Sequence, residues 1–161
     1  EHRTGIPYRD LKEELLYSAK NMKFIDDDAM RVIADLRKSG IKVVIAEENR
    51  EIVENLREKG IAAVSGHATE AGVLIQAHIQ HARLLVLSPM DIVDIHRIVD
   101  IAKTLNPQIQ VLVCAESKEE AEIIRKDDIG EVYFAKEEMA KNMSNHILNQ
   151  IQIAHHQSPT H

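Results

Sequence analysis

The sequence predicts an α/β fold: a doubly wound, mostly parallel Rossmann-like sheet with an atypical first strand. Three observations predict it. Short apolar runs recur at residues 41–46, 61–65, 83–88, 109–115 and 130–135. Amphipathic stretches of helical length alternate with them. The run at 41–46 is a continuous β-branched one, which suits a strand covered on both faces by crossover helices. Alternation of this kind means parallel strands joined by right-handed crossovers.

Residues 1–25 read as a lead-in, broken by Gly5 and Pro7. Within it, "DLKEELLYSAKN" (10–21) sets Leu11, Leu15 and Leu16 at helical spacing, while "ELLYSA" equally reads as a short strand. Residues 26–154 carry the Rossmann-like α/β unit. "AMRVIADLRKSG" puts Met30, Ile33 and Leu36 on one side of a helix and stops at Gly40, a helix-ending residue. The β-branched run "IKVVIA" follows, then a helix ending at Gly60, the strand "IAAVS" and the turn "GHATE". A short helix over 71–79 precedes "RLLVLS", and "DIVDIHRIVDIAKTL" (91–105) is a longer helix with Ile92, Ile95, Val99 and Ala102 on its apolar face. "NPQ" leads into "IQVLVCA", then a helix, the last strand "GEVYFA" and a final amphipathic helix. Residues 155–161, "HHQSPTH", form a polar tail.

With 161 residues, 44% hydrophobic and 29% charged, the chain suits one globular domain. There is no Trp and aromatics are 3%, so Ile, Val, Leu and Ala must build the core. A net charge of −6 argues against nucleic acid or an anionic membrane as partner, since phosphate contacts need excess Lys and Arg. Cys114, the single cysteine, allows no intrachain disulfide and lies in an apolar run where an inert buried thiol is expected, in a reducing compartment. No run approaches the ~18–20 apolar residues of a membrane span. The chain opens at Glu1 rather than Met, which raises the expectation of a longer protein with a membrane part elsewhere.

In an open α/β sheet, ligands bind beyond the carboxyl ends of the strands, so the residues just after each strand matter most. Glu47, Glu48 and Asn49 follow the run at 41–46. A carboxylate there can accept hydrogen bonds from both hydroxyls of a ribose. Two solvated acids with Asn49 as a helix N-cap are the plainer reading. Gly66, His67, Ala68 and Thr69 follow the next strand. Gly66 permits close approach of an adenine ring edged by His67 and Ala68; an ordinary turn with Thr69 as N-cap is the alternative. Upstream stands "MKFIDDDAMR" (22–31), where a phosphate cradle would need glycines and free backbone N–H groups. Asp26, Asp27 and Asp28 suit the helix dipole but repel a phosphate, and no glycine occurs between Gly5 and Gly40. N-capping is their simplest role, a cation site the alternative. His78 and His81 lack a third ligand at a convincing offset, and His96 and His146 fall within helices, so no metal is expected. No nucleophile–base constellation is legible either, so an enzyme is not expected.

The stretches "VVIAEENREIVENLREKGIAAVSGHATEAGVLIQAHIQHARLLVLS", "RIVDIAKTLNPQIQVLVCAES" and "EEAEIIRKDDIGEVYF" carry a resemblance. From about residue 31 to 150 the chain resembles the TrkA-N or RCK regulatory domain, most of all the version at the cytosolic C-terminus of Kef-type monovalent cation:proton antiporters. The resemblance implies a Rossmann-type domain at the cytoplasmic face of the membrane. It would bind AMP, ATP or NAD(H), pair into a homodimer and couple nucleotide binding to ion transport by a membrane antiporter or potassium system. By position, Glu47 would be the ribose-binding acid, and Gly66, His67 and Ala68 would occupy the "G-D-A-T" turn beside adenine, with His67 replacing the customary Asp. The family's "G-Y-G-R-V-G"-like turn is missing: Ile25, Asp27 and Met30 stand where its glycines belong.

In the usual 3-2-1-4-5-6 order the first strand is central, and its absence would strand unpaired backbone groups on both neighbours. Residues 14–19 or 22–25 must substitute, or a partner's segment must enter, or the order must change. Two other readings compete. "KFIDDDAMRVIADL" also resembles the start of a response-regulator receiver with its Mg²⁺-binding acids, although Ser65-Gly66-His67 stand where its phosphoacceptor Asp belongs. Alternatively the domain has lost nucleotide binding and serves dimerisation or docking, its final helix offering Met139, Met143, Ile147 and Ile151, a stripe that could equally cover its own sheet.

Overall fold

A computed structural model of the chain describes residues 14–19 and 27–156. Six parallel strands form one sheet in the order β3-β2-β1-β4-β5-β6. These are β1 (Glu14–Ala19), β2 (Lys42–Glu47), β3 (Ala62–Ser65), β4 (Ala82–Leu87), β5 (Gln110–Ala115) and β6 (Glu131–Phe134). The helices are α1 (Asp27–Lys38), α2 (Arg50–Glu58), α3 (Ala71–Gln76), α4 (Ile92–Leu105), α5 (Lys118–Lys126) and α6 (Ala135–His156).

The central strand is the segment "ELLYSA". It pairs in parallel with β2, Leu16 opposite Val44, and with β4, Leu16 opposite Leu85. Both neighbours thereby satisfy the backbone groups that a gap would leave bare. Of the ways to fill the centre, residues 14–19 do so within this chain, and a strand prevails over the helical spacing there. The order also rules out a receiver, whose sheet runs 2-1-3-4-5. Residues 22–25, and Asp26 with any cation it could help hold, lie outside the described residues.

Pleating divides the core in two. Val43, Ile45 and Ala63 point to one face, under Ile33 of α1 and Val53 and Leu56 of α2. Val44, Ala46, Leu85, Leu87, Val111, Val113, Val132 and Phe134 point to the other, under α3, α4 and α5. The five consecutive buried residues of β2 show both faces covered at once. Side chains tie the layers together at the edges. Arg57 donates from Nε and Nη2 to the Ala63 carbonyl at 3.0 and 2.8 Å, and Asn106 Nδ2 donates to the Ile79 and Ala82 carbonyls at 3.0 and 2.7 Å.

Two helices differ from the sequence reading. The helix expected over 71–79 ends at Gln76, because His78 takes a left-handed conformation (φ 62°) and a 3₁₀ turn covers Ile79–His81. The last helix begins at Ala135 directly after β6 and does not cover the domain's own sheet: Met139, Met143, Ile147 and Ile151 are all exposed. No described helix is long and apolar enough to cross a membrane.

Gly130 gives a test of the packing at the sheet edge. A Cβ there would sit 2.5 Å from the Val111 carbonyl oxygen, which is held in the β5 ladder, whereas one on Gly72 would meet open space. Gly130→Ala should therefore destabilise by about 1–3 kcal/mol. Gly72→Ala, in the first turn of α3, should be neutral or add up to ~1 kcal/mol. Urea unfolding followed by circular dichroism measures both.

Candidate functional site

Glu47 ends β2, opposite Ser65 at the end of β3. The two loops that follow are therefore neighbours at the carboxyl edge of the sheet, and Gly66 N–H donates to the Glu47 carbonyl at 3.0 Å. Gly66 has φ 141°, and a Cβ there would lie 2.5 Å from Val73 Cγ2. Only glycine makes this turn without strain.

The Glu47 side chain is buried, at 4% exposure. Its Oε1 accepts the backbone N–H of Asn49 at 2.8 Å, at the amino end of α2, where the helix dipole favours an anion. Its Oε2 is buried with no hydrogen-bond partner. Asn49 is the N-cap: its Oδ1 accepts from the N–H groups of Glu51 and Ile52 at 2.9 and 3.3 Å. The capping role read from the sequence is thus present, and it leaves Glu47 free for another.

Glu48 and His67 close the gap between the loops, His67 Nε2 standing 2.9 Å from Glu48 Oε1. The Thr69 N–H donates to His67 Nδ1 at 3.2 Å, with the Thr69 hydroxyl 2.5 Å from the same atom. Donation to Nδ1 assigns the proton of the neutral ring to Nε2, aimed at Glu48. Both ring nitrogens are engaged, so the imidazole offers no free acceptor. Thr69 is buried against this ring and does not cap α3; the cap position is Glu70, with no side-chain bond. Ala68 is buried beside it.

All seven residues singled out in the two loops therefore gather at one edge of the sheet. The sequence reading passed over Ser88. It follows β4, is 1% exposed and stands where strand order reverses between β1 and β4. The rule that ligands sit at such a switch point would have found it. Among the described residues, no three His, Cys, Asp or Glu gather as a metal site.

Residues 26–135 match the TrkA-N domain. The chain belongs to the TrkA-N domain family. Over 108 residues it is 31% identical to YbaL of Escherichia coli strain K12, which is named as a candidate cation/proton antiporter; the match takes in 67% of this chain and 19% of YbaL. The chain thus spans about a fifth of that relative's length. The solved TrkA-N domain of YbaL superposes with a TM-score of 0.67 at 27% identity, covering 83% of this chain and 95% of that one. Two more distant structures share the fold. The Kef C-terminal domain of Shewanella denitrificans in its AMP-bound form has a TM-score of 0.63 at 16% identity, covering 86% of this chain and 82% of its own. The GsuK channel bound to NAD has 0.60 at 20%, covering 74% and 21%. This TrkA-N domain is accordingly related to that of YbaL and shares its fold with the Kef C-terminal domain and with part of the GsuK channel.

The Gly66 turn of the TrkA-N domain can be dissected. Gly66→Ala should cost about 2 kcal/mol or more from backbone strain and the clash with Val73 together. Adding Val73→Ala removes the clash but not the strain, so chemical unfolding of the double variant should fall short of the sum of the singles.

Proposed function

We propose that this TrkA-N domain is the nucleotide-sensing regulatory part of a monovalent cation:proton antiporter or potassium transport system, working as a homodimer at the cytoplasmic face of the membrane. The observation that carries the reading is Glu47 Oε2, buried without a partner beyond the end of β2. A buried carboxylate oxygen left bare is costly, and the hydroxyls of a ribose are the donors that this position in the fold suits. AMP, ATP and NAD(H) all carry such a ribose.

Gly66, His67 and Ala68 would line the adenine edge. With His67 engaged by Thr69 and Glu48, the acceptor for the adenine amino group would be the Glu48 carboxylate, held in place by the imidazole. No glycine loop is available to the phosphates, so affinity would rest mainly on adenosine. Coupling to transport requires that the nucleotide bind one arrangement of the domain pair better than the other. The absence of any glycine between Gly5 and Gly40 favours a second reading, a dimerisation or docking module that has kept the sensor's shape without its ligand.

Calorimetric titration of AMP, ADP, ATP, NAD⁺ and NADH separates the two. The sensor reading expects micromolar binding by at least one of them. Glu47→Ala should weaken it by about 10- to 100-fold, the worth of hydrogen bonds to a charged group. No binding by a chain whose circular dichroism is intact would leave the docking reading.

A further inference from the structure

In a sheet of this strand order, a dinucleotide sets its phosphates at the amino end of the helix after the first strand. That helix is α1, and it opens with Asp27 and Asp28. From residue 20 to 28 the sequence carries three Asp against two Lys, and no glycine. A carboxylate at a helix start occupies the positive end of the dipole that a phosphate would need, and it repels the phosphate as well.

The other helices that start at this edge already engage amino-terminal donors with side chains of their own. At α2, Asn49 Oδ1 accepts from Glu51 and Ile52, and Glu47 Oε1 accepts from Asn49. At α4, Asp91 Oδ1 accepts from the Val93 N–H at 2.8 Å. At α5, Ser117 Oγ accepts from the Glu120 N–H at 3.1 Å while Glu120 Oε2 accepts from the Glu116 N–H at 2.8 Å. In the turn before α3, the Thr69 N–H goes to His67. Fixed charge acts in the same direction. Residues 47–49, 66–70 and 88–91, which follow β2, β3 and β4, include Glu47, Glu48, Glu70 and Asp91 but no Lys or Arg. The nucleoside end of a ligand, in contrast, finds a buried acceptor without a partner in Glu47 Oε2.

We propose that this site takes an adenine nucleoside whose 5′ carbon bears a neutral or cationic group, and that it selects against 5′-phosphates. The inference rests on the reading of Glu47 as the ribose-binding acid and narrows its ligand from nucleotides to nucleosides. A neutral 5′-hydroxyl meets no repulsion from the acidic edge. A 5′-ammonium is drawn by the same carboxylates that repel a phosphate, and it needs no cradle of backbone N–H groups because it is itself the donor.

Calorimetry on the 161-residue chain at pH 7 compares adenosine, 5′-amino-5′-deoxyadenosine (protonated at that pH), AMP and ATP. In about 50 mM salt adenosine should bind about tenfold more tightly than AMP, and ATP more weakly than AMP. The amine should bind at least as tightly as adenosine. Raising the salt to about 500 mM shortens the Debye length from ~14 Å to ~4 Å and should close most of the gap. Asp27→Asn combined with Asp28→Asn should tighten AMP several-fold in a chain folded by circular dichroism; if that variant fails to fold, the salt series decides without it. AMP or ATP binding as tightly as adenosine overturns the inference and leaves the sensor reading standing. An amine that binds more weakly than adenosine, or a folded variant with unchanged AMP affinity, overturns it as well. So does a preference for adenosine that salt does not narrow, because size and not charge would then be choosing. Binding of none of the four overturns the inference together with the reading of Glu47.

Discussion

A parallel sheet cannot be left open at its centre, and everything else in this domain follows from how that constraint is met. β2 and β4 each need a neighbour for one row of N–H and C=O groups, and residues 14–19 supply it to both. Placing β1 there makes β1 and β4 the pair where connections turn in opposite directions. That fixes the crevice, sends α1 and α2 to one face and α3 to α5 to the other, and brings the ends of β2 and β3 together beside it.

At that edge, local chemistry is arranged so that each group's partner frees the next. Asn49 caps α2 through its side chain and donates its own N–H to Glu47, fixing one oxygen of the buried carboxylate and aiming the other away. Thr69 fixes the His67 tautomer, and His67 in turn pins Glu48. An Asp in place of His67 would set a second carboxylate beside Glu48. The imidazole bridges where a carboxylate would repel. Gly66 is the hinge on which this proximity depends, because a larger residue would push the second loop off Val73 and away from Glu48.

Much of the fold was legible because its signals are local. The β-branched runs of β2 and β5 and the glycines closing α1 and α2 need no tertiary context. β1 was ambiguous because "ELLYSA" carries both periods, and only the demand for a central strand decides between them. The early end of α3 escaped notice because His78, not a glycine, takes the left-handed turn. The Glu48–His67 contact joins residues far apart in sequence and is legible only once β2 and β3 are known to be neighbours. Glu47 could be named from its place after a strand. Its burial and its bare oxygen could not, since both depend on how the α2 cap is built.

The two faces of the sheet are not equally covered by the described residues. On the α3–α5 side the core runs unbroken from β2 to β6. On the other side, among the described residues, it stops near Leu84 and Val86. Glu47 anchors the amino end of α2, which packs on that same side. A ligand that drew on Glu47 Oε2 would therefore act on a helix that packs on the side where the cluster of described residues is smaller.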